Sequence, residues 1–355
     1  MAEPNLGIIE GYFGPPWRWE DRCAVVEQLA PVGYRFFHYA PKGDAFLRRR
    51  WQETHPPEEA KQIAHFVSFC QEKSVRVGIG LSPYEAFNDF HHGVKQDFVR
   101  RIKDLASLGI DDLGIFFDDM HSHLPDLAQK QIEIMHLAKE SAPNLKLVMT
   151  PTYYSNDMVL DRVFGPRPLH YLAQLGAELD PAIDMYWTGE EVCSLEISLG
   201  HVQDIGAVLG RKPLLWDNYP VNDGPRMSGF LHLRGFTGRS ARLTDWTAGH
   251  AINPALQPYL TCIPAMTLAD LYRMGDAYCY GASGLAAAHK VLGPQLAEMV
   301  CADLISFQDA GLSQLSHRLE ALSERYQSID HPAAREIVTW LQHGYACSSE
   351  FVQTQ

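Results

Sequence analysis

The chain has 355 residues, of which 46% are hydrophobic and 21% charged, a composition typical of a globular protein with a sizeable core. Its formal charge at pH 7 is −13, and its longest basic run is the triplet Arg48-Arg49-Arg50. We therefore expect neither nucleic acid nor an anionic membrane as a partner. The sequence also shows no basic leader followed by an apolar stretch and no apolar run of about 18 residues, so we expect a cytoplasmic protein.

The seven cysteines are scattered and include no Cys-x-x-Cys pair. This pattern favours reduced thiols used as small core residues over a disulfide framework or a zinc site.

Short apolar runs alternate with amphipathic patterns along the first three quarters of the chain. The runs predict eight strands, at Leu6–Glu10, Tyr34–Tyr39, Val75–Leu81, Leu113–Phe117, Leu145–Met149, Ile183–Trp187, Pro213–Trp216 and Tyr259–Ile263. The patterns between them predict helices, among them Trp19–Leu29, Glu58–Glu72, Val94–Leu108 and Leu127–Glu140. Strands that alternate with helices indicate an α/β protein with a parallel sheet.

Polar or glycine residues follow many of these strands rather than gathering at one switch point. This distribution favours a (β/α)8 TIM barrel over a doubly wound sheet. We predict a catalytic barrel over residues 1–266 and a small helical region over residues 267–355, whose helices could support a homodimer.

The stretch Leu113–Met120 is the most informative part of the sequence, because an apolar strand ends in two adjacent carboxylates, Asp118 and Asp119. Two carboxylates held close together cannot both ionise easily, so one should be an anion and the other an acid near neutral pH. That division suits glycoside cleavage. Helix capping would explain one aspartate, and a nucleotide-hydrolase strand lacks its partner here, because no Gly-x-x-x-x-Gly-Lys-Ser/Thr motif is present.

A second polar cluster, Trp216-Asp-Asn-Tyr-Pro-Val-Asn-Asp223, follows the seventh predicted strand. Aromatic rings beside amide and carboxylate groups are typical of carbohydrate sites, where a ring covers the apolar face of a sugar and polar groups hold its hydroxyls. A polar turn would have a similar composition.

Seven motifs, taken in order, resemble glycoside hydrolase family 84, the β-N-acetylglucosaminidases that include O-GlcNAcases and enzymes historically called hyaluronidases. They are Glu10-Gly-Tyr-Phe-Gly-Pro-Pro-Trp17, Tyr39-Ala-Pro-Lys-Gly-Asp44, Phe117-Asp-Asp-Met120, Thr150-Pro-Thr-Tyr-Tyr154, Trp187-Thr-Gly189, Trp216-Asp-Asn-Tyr-Pro-Val-Asn-Asp223 and Asn253-Pro254. Departures from the family's pattern include Gly43 in place of an aspartate and Tyr84 where a glycine follows Ser-Pro.

The resemblance implies a retaining exo-β-N-acetylglucosaminidase that removes terminal β-linked GlcNAc, including GlcNAc on proteins or peptides, without metal or organic cofactor. The substrate's acetamido oxygen would attack the anomeric carbon to form an oxazoline, with Asp118 orienting the acetamido group and Asp119 as acid and base. Tyr154 would bond near the reacting oxygen. The remaining substrate-binding positions implied are Gly11, Lys42, Thr150, Thr188, Trp216, Asn218, Asp223 and Asn253.

Two other functions remain open from the sequence. Asp119, His121 and His123 could contribute to a metal-dependent barrel hydrolase, although a metal needs three or four converging ligands. Alternatively, the barrel could bind GlcNAc without cleaving it.

Overall fold

A computed structural model describes residues 3–122 and 124–347. In this part of the chain, eight parallel strands pair in chain order, and the eighth pairs with the first to close a barrel. The strands are β1 Leu6–Glu10, β2 Tyr34–Tyr39, β3 Arg76–Leu81, β4 Asp112–Phe116, β5 Lys146–Thr150, β6 Asp184–Trp187, β7 Leu214–Asp217 and β8 Gly249–Ile252. With helices between the strands, the predicted (β/α)8 barrel is confirmed.

The helices begin and end as follows: α1 Trp19–Leu29, α2 Pro57–Glu72, α3 His92–Ala106, α4 Leu127–Ser141, α5 Met158–Phe164, α6 Tyr171–Glu178, α7 Leu199–Leu209, α8 Gly224–Met227, α9 Pro258–Met274, α10 Tyr280–Leu304, α11 Gly311–Gln314, α12 Leu319–Gln327 and α13 Pro332–Leu341. Helix α10 is kinked at Gly293, whose φ of 72° is not helical. None of the helices in the described ranges is long and apolar enough to cross a membrane.

The first seven strands begin and end within one residue of their predicted positions, but the eighth prediction is wrong. The predicted strand Tyr259–Ile263 lies inside α9, and β8 is the four-residue segment Gly249–Ile252. Pro258 occupies the first position of α9, where its missing N–H needs no partner, and the apolar run after it continues as helix. Strand β8 gives a weak apolar signal because it contains His250, whose buried ring is bonded to Asp217 at 2.9 Å.

Two apolar cores hold the barrel together. The larger one lies between the strands and the surrounding helices, as the amphipathic patterns require. The smaller one fills the barrel and includes Phe36, Phe116, Tyr186 and Trp216. The rings of Phe116 and Tyr186 each pack edge-on against Trp216, with centroids 5.8 and 5.2 Å away, so the interior core reaches the site described below.

The C-terminal helices pack on the barrel through α9, which also contacts α1 and so closes the outer ring. On α13, Glu336 accepts hydrogen bonds from the backbone N–H groups of Tyr259 and Leu260, at 2.8 and 3.0 Å, and Trp340 donates to the Ser228 carbonyl at 3.1 Å. The proposed division at residue 266 falls inside α9. That division, and a homodimer through these helices, stay predictions.

Candidate active site

A pocket opens at the C-terminal end of the barrel strands, where (β/α)8 barrels place their active sites. All eleven site residues predicted from the sequence line it, although their individual roles stay predictions. They are Gly11, Lys42, Asp118, Asp119, Thr150, Tyr154, Thr188, Trp216, Asn218, Asp223 and Asn253. Seven of the eight strands supply them, because the carboxyl ends of parallel strands converge at one end of a barrel.

Asp118 and Asp119 both reach the pocket because the regular strand has already ended. Consecutive residues of a strand point to opposite faces, but β4 ends at Phe116. Asp119 has a φ of 56°, in the left-handed region that non-glycine residues rarely occupy. This turn of the backbone places two neighbouring carboxylates in one site.

The carboxylate of Asp118 is held by Lys42. The Nζ atom of Lys42 forms a buried ion pair with Asp118 Oδ2, while Asp118 Oδ1 is buried and has no hydrogen-bond partner among the residues that the structure describes. A buried acceptor without a partner is costly and therefore rare. Asp118 thus presents one charged, unsatisfied oxygen beside the pocket.

The carboxyl group of Asp119 lies in a different environment. Burial has the largest effect and raises the pKa of Asp119 above its usual value. The charge of Lys42, whose Nζ lies 3.9 Å from Asp119 Oδ2, lowers this pKa, and the neighbouring charge of Asp118 raises it. The Tyr154 hydroxyl donates to Asp119 Oδ1 at 3.2 Å. Asp119 therefore tends to hold a proton more strongly than an ordinary aspartic acid, and burial contributes more to this than the repulsion expected from the sequence.

A hydrogen-bond network ties together the ends of β1, β7 and β8. Asn253 Oδ1 accepts from the Gly11 N–H at 3.2 Å, and its Nδ2 donates to Asn218 Oδ1 at 3.0 Å. Asn218 Oδ1 also accepts from Trp216 Nε1 at 2.9 Å, and its Nδ2 donates to the Val192 carbonyl at 2.7 Å. The pocket wall is therefore held in place before any ligand arrives.

Gly11 lies against the indole of Trp216. A Cβ atom on Gly11 would come within 2.2 Å of Trp216 Cζ2, so no other residue fits without moving the ring. The absence of a side chain lets the backbone line the pocket directly beside the indole.

Of the other predicted residues, Asp223 and Thr188 are hydrogen-bonded to neighbouring backbone groups, whereas Thr150 is not. Asp223 Oδ2 accepts from the Phe13 N–H at 2.7 Å, and the Thr188 hydroxyl donates to the Glu191 carbonyl at 3.0 Å. The buried Thr150 hydroxyl has no hydrogen-bond partner within the described ranges. Together with Asp118 Oδ1, it gives the pocket two unsatisfied polar atoms that a polar ligand could bond.

Five further residues line the pocket that the sequence did not single out: Phe13, Tyr186, Val192, Cys193 and Val221. Tyr186 lies in β6, and its hydroxyl is bonded to His38 Nδ1 at 2.7 Å inside the barrel. Phe13 and Val221 lie within two of the seven motifs, close to predicted site residues, so their place in the sequence could have indicated them. Val192 and Cys193 follow β6 in a loop, where no periodicity gives a signal.

Of the residues considered for a metal site, Asp119 lines the pocket and His121 does not. His121 is exposed, does not line the pocket, and packs edge-on against Phe164 with centroids 6.1 Å apart. His123 lies outside the described residues. Asp217, another carboxylate at a strand end, is instead buried in an ion pair with Arg239 at 2.7 Å. Within residues 3–122 and 124–347, no three His, Cys, Asp or Glu side chains are grouped so that they could hold a metal ion.

Comparison with known proteins identifies the family. Residues 6–305 match the family model described as beta-N-acetylglucosaminidase (NAGidase). The chain belongs to this family. The matched range contains all eleven predicted site residues, so the pocket lies within the part of the chain that defines the β-N-acetylglucosaminidase family.

Two curated relatives of this β-N-acetylglucosaminidase family member are the Protein O-GlcNAcases of Mus musculus and Rattus norvegicus. Each is 26% identical to it over 276 residues, which cover 75% of this chain and 30% of the relative. The chain thus matches less than a third of the length of those relatives. Among solved structures, a mutant of the O-GlcNAc hydrolase of Thermobaculum terrenum is similar, with a TM-score of 0.79, 26% identity, and coverage of 95% of this chain and 80% of that one.

Proposed function

We propose that this protein is a retaining exo-β-N-acetylglucosaminidase that hydrolyses terminal β-linked GlcNAc with the substrate's own acetamido group as nucleophile. The observation that carries the proposal is the unequal pair of carboxylates. Asp118 is ion-paired and presents an unsatisfied acceptor, whereas burial raises the pKa of Asp119. A substrate-assisted glycosidase needs one group that accepts the acetamido N–H and one that carries a proton to the leaving oxygen.

In the first step, the acetamido carbonyl oxygen attacks the anomeric carbon while the bond to the leaving oxygen breaks. Asp119 donates its proton to that oxygen, and the sugar becomes a protonated oxazoline whose N–H stays hydrogen-bonded to Asp118. Asp118 Oδ1 accepts the acetamido N–H, which increases the electron density on the attacking oxygen. Lys42 pairs with the other oxygen of Asp118, Oδ2, and so holds the carboxylate in place for this role.

In the second step, Asp119 acts as a base and accepts a proton from water, which attacks the anomeric carbon and reopens the oxazoline. Two displacements at the same carbon give retention of configuration. The Tyr154 hydroxyl, 3.2 Å from Asp119 Oδ1, stabilises the carboxylate after the proton has left.

The rest of the pocket suits one terminal sugar residue. Trp216, Thr150 and Thr188 would enclose the acetamido methyl and carbonyl groups, with Asn218 as the hydrogen-bond partner of that carbonyl. Gly11, Lys42, Asp223 and Asn253 would hold the ring hydroxyls. A wall that is already hydrogen-bonded loses little freedom on binding, so the geometry needed for attack is available at low entropic cost.

The names of the relatives suggest the aglycone. Because those proteins are named for the hydrolysis of O-GlcNAc, we propose that the substrate is a GlcNAc-bearing protein or peptide rather than a polysaccharide, and that the protein acts in the cytoplasm without metal or organic cofactor. A homodimer through the C-terminal helices is part of the same proposal.

The proposal is tested by hydrolysis of an aryl β-N-acetylglucosaminide in the presence of EDTA, with a thiazoline mimic of the oxazoline as inhibitor. We expect cleavage that EDTA leaves unchanged and the thiazoline blocks. Activity that EDTA abolishes and a divalent metal restores would replace the proposal by the metal-dependent hydrolase. Tight thiazoline binding without any turnover would replace it by a GlcNAc-binding barrel.

A further inference from the structure

Arg48 belongs to the basic triplet of the sequence, yet its side chain is buried beside the catalytic pair. Only 8% of the residue is exposed, and Nη2 donates to the backbone carbonyl of Asp119 at 2.8 Å. Its Nη1 atom is buried and has no hydrogen-bond partner in the part of the chain that the structure describes. A surface role, usual for an arginine in such a run, does not explain this placement.

The guanidinium group is fixed from a second direction by Tyr84. The Cζ atom of Arg48 lies 5.3 Å from the centroid of the Tyr84 ring, within the range of a cation–π interaction. Arg49, the next residue, lies 5.2 Å from the same ring but is exposed. Tyr84 stands at a position where glycine is usual in glycoside hydrolase family 84. The contact between the Arg48 guanidinium and this ring is therefore particular to chains with an aromatic residue there.

The carbonyl that Arg48 holds belongs to the residue with the unusual backbone. Asp119 has a φ of 56°, a conformation that costs free energy for a residue with a side chain and persists only where surrounding contacts enforce it. A charged donor on the Asp119 carbonyl is such a contact.

We propose that Arg48 is a positioning residue for Asp119, holding its backbone in the left-handed conformation that directs the carboxyl group into the pocket. Arg48 does not line the pocket, so it acts through Asp119 rather than on the sugar. This inference rests on the proposed function, because it takes Asp119 as the acid and base of the reaction.

The charge of Arg48 adds a second effect. The charged and titratable groups that act on Asp119 are Lys42 and Arg48 in the segment after β2, Asp118 after β4 and Tyr154 after β5. Burial raises the pKa of Asp119, and the positive charges of Lys42 and Arg48 oppose that rise. Arg48 therefore limits how strongly Asp119 holds its proton, which matters when the same group must serve as acid and then as base.

The test compares Arg48→Lys, which keeps the charge but loses the planar fork, with Arg49→Lys as a matched control. Each variant is assayed on an aryl β-N-acetylglucosaminide with an acidic phenol and on an alkyl one whose leaving group needs a proton. We expect Arg48→Lys to lower kcat/KM by about 10-fold or more on the alkyl substrate and only slightly on the aryl one, because only the former depends on a well-placed acid. Arg49→Lys should resemble wild type on both.

Two further variants keep the proposal testable if Arg48→Lys folds poorly. Tyr84→Leu leaves the guanidinium in place but removes its ring contact, and should give a smaller loss with the same preference for the alkyl substrate. Arg48→Met removes the charge, so the fall of kcat/KM at high pH should shift to higher pH, whereas Arg48→Lys should leave it in place.

An equal loss on both substrates in Arg48→Lys and Tyr84→Leu would overturn the proposal, and so would an unchanged pH profile in Arg48→Met. An inactive wild-type protein would instead refute the proposed function, so the two failures are distinguishable.

Discussion

Asp118 and Asp119 are consecutive residues whose carboxylates have different surroundings within one pocket. The first is ion-paired with Lys42, and the second is hydrogen-bonded to the Tyr154 hydroxyl with a pKa raised chiefly by burial. The left-handed backbone at Asp119 is what allows this arrangement. The difference between the two groups leads to different expectations for their replacement.

Asp119→Asn should lower kcat/KM by about 10²–10⁴-fold on an alkyl β-N-acetylglucosaminide, and much less on an aryl one with an acidic phenol. The amide cannot donate a proton as an acid does, but a good leaving group needs little protonation. Steady-state rates on a series of phenols of graded acidity measure this. Equal losses across the series would count against Asp119 as the acid.

Asp118→Asn should lower kcat/KM by a similar factor on every member of the same series. The amide keeps the shape of the carboxylate but loses the charge that favours attack by the acetamido oxygen, a step common to all leaving groups. A loss that grew with the pKa of the leaving group would mean that the two aspartates have exchanged roles.

Lys42→Met should move the fall of activity at high pH to still higher pH. Lys42 lowers the pKa of Asp119, so its removal lets Asp119 keep its proton to a higher pH, and only the protonated acid is active in the first step. The measurement is kcat/KM against pH on the alkyl substrate. Lys61→Met is a control, because Lys61 is exposed and pairs only with exposed Glu58 on the same helix in the described structure. A fall of kcat/KM that moved to lower pH would contradict the prediction.

Gly11→Ala should raise KM and lower the free energy of unfolding by about 1–3 kcal/mol, the usual cost of overpacking. The new methyl group would meet the Trp216 ring at 2.2 Å and displace a wall of the pocket. Gly200→Ala in α7 is the matched control, because a Cβ there meets nothing within 4 Å. Wild-type KM in Gly11→Ala would show that the indole does not bound the sugar site.

The contribution of Glu336 to the free energy of unfolding should fall as pH rises from about 4.5 to 8, because burial raises the pKa of this carboxyl from its usual 4.5 to about 8. In that interval the folded state holds a proton that the unfolded state has released, so folding is favoured at low pH and the contribution is lost as pH rises. Glu336→Gln should flatten this dependence, which thermal unfolding at several pH values would reveal. Glu298→Gln, on an exposed part of α10, should follow wild type. If the stability of the Glu336→Gln variant changed with pH as steeply as that of wild type, the raised pKa of Glu336 would be contradicted.

The sequence could predict the barrel because seven of its strands are apolar runs long enough to recognise. It failed at β8, where four residues include a histidine whose polarity is satisfied inside the barrel by Asp217. The pocket residues could be predicted because they lie in motifs at strand ends.

Contacts between distant segments could not be read from the sequence in the same way. The ion pair between Lys42 and Asp118 depends on how the segments after β2 and β4, two strands separated by β3, approach each other, as does the bond from Arg48 to the Asp119 carbonyl. The loop that brings Val192 to the pocket has no periodic pattern. The backbone conformation of Asp119 is a local departure from what a non-glycine residue prefers, and residue type alone does not indicate it.

The proposed mechanism requires the substrate's acetamido oxygen to be the nucleophile. The most direct test is kcat/KM for aryl glucosaminides whose N-acetyl group carries none, one, two or three fluorine atoms, with the leaving group held constant. Fluorine withdraws electrons from the carbonyl oxygen, so we expect a steep, progressive fall in kcat/KM across the series. A flat series would contradict it and would require a nucleophile supplied by the protein or by water.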